Sequence, residues 1–125
     1  MDHQSVMESI FARLDAGNIH PKRREGARLL VEGNLKAGRF DPNDESEVQL
    51  VVTMLIQGYS IPDLKTIKQR LSTLDLDQAT RDRWCLELAQ AAGTGWFCPS
   101  IDDEMSKAVE ALQVGRKVPS FPRCG

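Results

Sequence analysis

Apolar residues recur along this chain with the spacing of helices, and no stretch alternates with period two for long enough to make a strand. Val6, Met7, Ile10, Phe11 and Leu14 share one face of a first helix that the sequence ends at Gly17. Pro21 suits the first position of a second helix, which carries Ala27, Leu30, Val31 and Leu35. After the loop Phe40-Asp41-Pro42-Asn43, Asp44 followed three residues later by Glu47 reads as a capping box. It opens a third helix, apolar nearly all round at Leu50, Val51, Val52, Met54, Leu55 and Ile56, that ends near Gly58. Ser60 with Asp63 predicts the cap of a fourth helix over 61–74, with Ile61, Leu64, Ile67 or Lys68, Leu71 and Leu74 at roughly heptad spacing. Asp77 caps a fifth through Trp84, Leu88 and Ala91 to Gly93, and Ser100 a sixth with Met105, Ala108, Val109 and Leu112.

These elements predict an all-α fold, a compact bundle of five or six short antiparallel helices with the apolar third helix at its centre. Residues 1–115 make a single domain in this reading. Residues 116–125, with two prolines and no periodicity, make a flexible tail, although Val118-Pro119-Ser120-Phe121-Pro122-Arg123 could dock extended in a groove of its own subunit or of a partner. A length of 125 residues fits one domain, and Leu, Ile, Val and Phe supply a quarter of the chain, enough for a packed core. Gly26, Leu30, Gly33 and Ala37 form one stripe of the second helix. Because a helical glycine costs roughly 1 kcal/mol against alanine, the two glycines predict close approach by another helix, the alternative being that Gly33-Asn34 ends the helix early.

Charge refines the picture. The net charge of −2 excludes a protein that coats nucleic acid by bulk attraction. It is the small remainder of +2 over residues 1–40, −5 over 41–64 and +1 over 65–125. The start of the chain lacks a secretory pattern, and the longest apolar run, residues 50–56, is far short of the ~20 residues of a membrane span. Three widely spaced cysteines, an odd number without a CxxC pair, fit a reducing compartment. The expected location is the cytoplasm, with no membrane partner.

Catalytic inventory is thin. Trp96-Phe97-Cys98-Pro99-Ser100 resembles the Phe-Cys-Pro segments of thiol redox enzymes such as glutaredoxins and peroxiredoxins. Those segments stand between strand and helix in an α/β fold, whereas here helices flank the thiol and no second cysteine is near. His3, His20, Cys85 and Cys98 lack the close spacing of a zinc site. Counted from Asp41 as a calcium loop, Ser46 stands where glycine is wanted and Val52 where a bidentate glutamate belongs. No nucleophile elbow, metalloprotease helix, Walker loop or dinucleotide fingerprint occurs. The sequence therefore predicts neither enzyme activity nor a cofactor or metal.

Two basic features point to binding. Lys22, Arg23 and Arg24 crowd the first turn of the second helix, where the macrodipole disfavours cations, and Arg28 lies one turn beyond Arg24. Local helix stability does not select that arrangement, so the ridge Lys22, Arg23, Arg24 and Arg28 predicts an anionic protein partner. The same ridge could meet Asp44, Glu45 and Glu47 of a second copy and make a homodimer. The expected function is a small regulatory or adaptor protein that modulates a larger partner by binding it. The alternative rests on Gly58-Tyr59-Ser60, similar to the Gly-x-Ser turn of bacterial helix-turn-helix regulators. It makes the protein a transcriptional regulator reading DNA with helix 61–74 through Lys65, Lys68, Gln69 and Arg70.

Overall fold

The second, third, fourth and fifth helices of the chain each start where a side chain supplies a partner for free amides. The structure, a computed structural model, describes residues 3–121 and contains six helices and, among those residues, no strand. They are α1 (His3–Ala16), α2 (Pro21–Ala37), α3 (Glu45–Ile56), α4 (Leu64–Ser72), α5 (Gln78–Gly93) and α6 (Asp102–Gln113). The all-helical expectation holds. The chain divides into two compact units with the boundary between Ile61 and Pro62, so that α1 to α3 belong to the first and α4 to α6 to the second.

In the first unit α1 packs against both α2 and α3. Val6, Ile10, Phe11 and Leu14 of α1 are buried, as are Ala27, Val31 and Leu35 of α2. From α3, Val48, Val51, Val52, Met54 and Leu55 enter the core, the near-continuous apolar surface expected of that helix. The first helix stops as anticipated, but the left-handed residue is Asn18 (φ 61°), not Gly17. A Cβ at Gly17 would meet the tip of the Ile56 side chain, which would have to turn aside. The second helix begins at Pro21, and its N-cap is His20, whose Nδ1 accepts from the Lys22 amide at 3.1 Å. It runs unbroken through Gly33 to a left-handed Gly38.

Two sequence expectations in this unit change. Gly26 and Gly33 meet nothing within 4 Å of where a Cβ would stand, so the close approach expected there is not found among the described residues of the unit. Asp44 does cap α3, accepting from the amides of Ser46 and Glu47. Glu47, however, reaches further back than a capping box requires and accepts from the Asp41 amide at 3.0 Å, which ties the loop to the helix while the side chain is buried.

In the second unit α4 packs against α5, and Leu64, Ile67, Leu71, Leu88, Ala89, Met105 and Ala108 are almost fully buried. The fourth helix is shorter than the expected 61–74. Pro62 disfavours helical backbone at Ile61, and Asp63, not Ser60, is the cap, accepting from the Thr66 amide at 3.1 Å. Asp77 caps α5 as expected, through the Thr80 amide at 2.8 Å. Ser100 does not cap α6: the cap position is Ile101, without a side-chain bond. Glu104 instead reaches back to the Cys98 amide at 2.8 Å, and three acids in the first turn complement the helix dipole.

The segment expected to be a free tail is packed over its described part. Gly115 (φ 74°) turns the chain after α6, and the Arg116 amide returns to the Ala111 carbonyl. Val118 is then buried, and the Phe121 amide donates to the Trp96 carbonyl at 2.7 Å. Residues 122–125 lie outside the described residues, and with them Cys124. No described helix is long and apolar enough to cross a membrane.

Candidate functional site

The basic ridge of α2 is largely engaged within its own unit. Arg23 reaches the C-terminus of α3, donating from Nη2 to the Leu55 carbonyl at 2.7 Å and from Nη1 to that of Ile56 at 3.5 Å. Its charge is misplaced for its own helix and well placed for that one, where free carbonyls gather negative potential. Arg24 pairs with Asp15 through two bonds of 3.0 and 3.2 Å and lies 4.8 Å from the centre of the Phe11 ring. Asp15 sits in the last turn of α1, so each member of this pair is unfavourable in its own helix and favourable to the other. The pair raises the Arg24 pKa, and the hydrogen bond from Arg24 holds the Asp15 carboxyl below its ordinary value. Arg28 keeps only a loose, exposed contact with Glu25 at 3.4 Å, and the Lys22 side chain is exposed. The physical reason for crowding arginines into this turn is therefore internal, and no outside partner is needed to account for it.

The acidic segment that was to receive the ridge in a second copy is likewise occupied. Asp44 caps α3, Glu47 is buried, and Glu45 pairs with Arg13, whose hydrogen bond lowers the Glu45 pKa. On α4, Lys65 and Gln69 are exposed and Lys68 is half-buried. Arg70 is committed to α6, donating to Ser106 Oγ at 2.9 Å and pairing with Asp102. The surface assigned to DNA reading thus keeps only part of its polar set.

The Cys98 segment joins α5 to α6. Cys98 Sγ lies 2.9 Å from Ser100 Oγ, and Cys85 is buried in α5. Among the described residues no group of three or more His, Cys, Asp or Glu side chains could hold a metal ion.

The second unit instead holds a groove of about 520 Å³, within the rough 300–1,000 Å³ range of ligand sites. One stripe of α5 contributes Arg83, Trp84, Glu87, Gln90 and Ala91, recurring as a helix face must, and the C-cap Thr94 continues it. The turn after α5 contributes Trp96, held by Gly95 (φ 85°) and by the bond from the Trp96 amide to the Ala91 carbonyl. Leu112 and the segment from Gly115 to Val118 complete the lining. Trp84 is buried to 9% exposure, whereas Trp96 is 44% exposed, an unusual position for so large an apolar surface.

Three cations, Arg83, Arg116 and Lys117, line this groove against one carboxylate, Glu87. All three are exposed, and among the described residues none of their side chains makes an ion pair or hydrogen bond. Arg83 acts at longer range on Asp77, whose pKa is lowered mainly by its bonds from Thr80 and further by Arg83 and Arg81. Sequence reasoning passed over this site. The α5 stripe mixes charged, polar and apolar residues, and the cations of 116–117 fell in a segment read as tail.

Comparison with protein-family models, with curated proteins and with solved structures finds no match to the chain.

Proposed function

We infer that this protein is a non-catalytic regulatory or adaptor module that acts by binding another protein, and that its docking surface is the tryptophan groove of the second unit. The observation that carries this reading is the contrast between two basic surfaces. Arg23 and Arg24 of α2 have strong partners in their own unit, while Arg83, Arg116 and Lys117 have none among the described residues and surround a half-exposed Trp96. Tryptophan and arginine are the side chains that most often dominate binding energy when a partner excludes water from them. The sequence-based choice of a protein partner is kept, with its surface moved from one helix to another.

The test is affinity capture with the full chain as bait, comparing wild type, Trp96→Ser and an α2 control, Lys22→Glu with Arg28→Glu. Proteins retained by wild type and by the α2 control but lost with Trp96→Ser support the groove. Proteins lost only with the α2 control return the docking surface to the ridge and sink this assignment. Circular dichroism of each variant confirms that the helices are intact.

A further inference from the structure

We propose that the groove takes an acidic peptide segment carrying a bulky apolar side chain, in extended form. The proposal rests on the groove being a docking surface and adds the chemistry of its occupant. Trp96 offers an exposed indole face, and Leu112, Ala91 and Val118 offer aliphatic surface beside it. Together they suit a leucine or phenylalanine more than a purely polar chain. Carboxylates flanking that anchor meet cations contributed by two different elements, Arg83 from α5 and Arg116 with Lys117 from the segment after α6. Arginine also gives a planar, two-point contact to a carboxylate.

The form of the occupant follows from the wall it lies against. Residues 116–121 are neither helical nor in any sheet, and the backbone bonds that anchor this segment are at its ends, from the Arg116 and Phe121 amides. Neither the Lys117 nor the Val118 amide donates to another backbone carbonyl among the described residues. Successive amides of an extended chain point to opposite edges and Pro119 has none, so a partner chain running beside this segment meets one such donor together with the side-chain charge. Glu87 argues against a polyphosphate occupant, since it would stand among the phosphates, whereas a peptide presents its own amides to it.

The chain's only two tryptophans both line this groove, so intrinsic fluorescence reports on it directly. The probes are capped hexapeptides: Glu-Asp-Phe-Leu-Glu-Asp, its lysine counterpart Lys-Lys-Phe-Leu-Lys-Lys, and the anchorless Glu-Asp-Ser-Gly-Glu-Asp, with a short oligothymidylate as the rival polyanion. The first should shift the emission saturably. Removing the anchor or inverting the peptide charge should weaken binding by about tenfold or more, the effect of one good contact. Arg116→Glu with Lys117→Glu should do the same, whereas Glu87→Gln should tighten binding a few-fold, a change of opposite sign that damage to the fold could not produce. Both cations are exposed, so the double variant leaves the core untouched.

Equal binding of acidic and basic peptides overturns the proposal, as does tighter binding of oligothymidylate, which would make the groove a nucleic-acid site. If no peptide binds but Trp96→Ser still strips captured proteins, the occupant's chemistry is wrong and the docking surface stands. If both experiments are negative, both readings fall.

Discussion

At Gly58 the backbone takes φ 91°, and the place a Cβ would occupy lies 2.8 Å from Nη2 of Arg23. Two separate demands thus meet at one residue, a left-handed turn after α3 and room for the guanidinium that caps it. Gly58→Ala should cost about 1–2 kcal/mol from backbone strain alone, with crowding of Arg23 added to it, as measured by urea unfolding. Arg23→Ala removes the crowding, so the double variant should lose less than the sum of the two single losses. Strict additivity would show that the guanidinium does not depend on that space. The glycine was legible as a helix stop in the sequence. The role of Arg23 was not, because its partners are carbonyls more than thirty residues away, and a charge read against its own helix looks merely misplaced.

Helix ends were read well where a single aspartate offers the N-cap, as at Asp44 and Asp77. They were misread at α4 and α6, where serine competed with a better local arrangement. At α4 the proline at 62 decides in favour of Asp63. With nine residues, α4 is the shortest helix, and Asp63→Ala should destabilise the protein by about 1 kcal/mol in urea unfolding. The glycines of α2 carry the opposite expectation. Both sit in a helix with open space where a side chain would be, so Gly26→Ala and Gly33→Ala should each raise stability by roughly 0.5–1 kcal/mol. A loss at either position would mean that something outside the described contacts needs the bare backbone. The stripe itself was visible from spacing, but whether it was covered was a tertiary fact that no spacing encodes.

For the whole chain, charge is arranged so that solubility and stability respond to acid at different points. Asp15, Glu32, Glu45 and Asp77 are all held below their ordinary values by hydrogen bonds, from Arg24, Lys36, Arg13 and Thr80 respectively. Each binds a proton less readily folded than unfolded. Their contribution is therefore complete above the ordinary carboxylate range and is lost as pH falls through the lowered values. Thermal unfolding should be nearly flat from neutral pH to about pH 5 and decline below it, and Asp15→Asn should lessen the decline. Because these pairs are exposed, salt should shrink the effect. Colloidal stability should instead be least near pH 5.7, where net charge vanishes, while the fold is still intact. Coincident loss of both on acidification would contradict the assignment. The near-neutral total was plain from composition, whereas the grouping of cations in the groove needed α5 and the chain after α6 to be brought together.

The Phe121 amide is bonded to the Trp96 carbonyl, so the last described residue of the chain is held beside a residue that lines the groove. Anything attached downstream is tethered to the site, and over a short flexible linker a tether sets a local concentration on the order of millimolar. An acidic segment fused there would compete as an intramolecular ligand at a level no free peptide readily matches. A purification tag of that composition would mask binding, and the same tag moved to the other end of the chain would be freed of that tether.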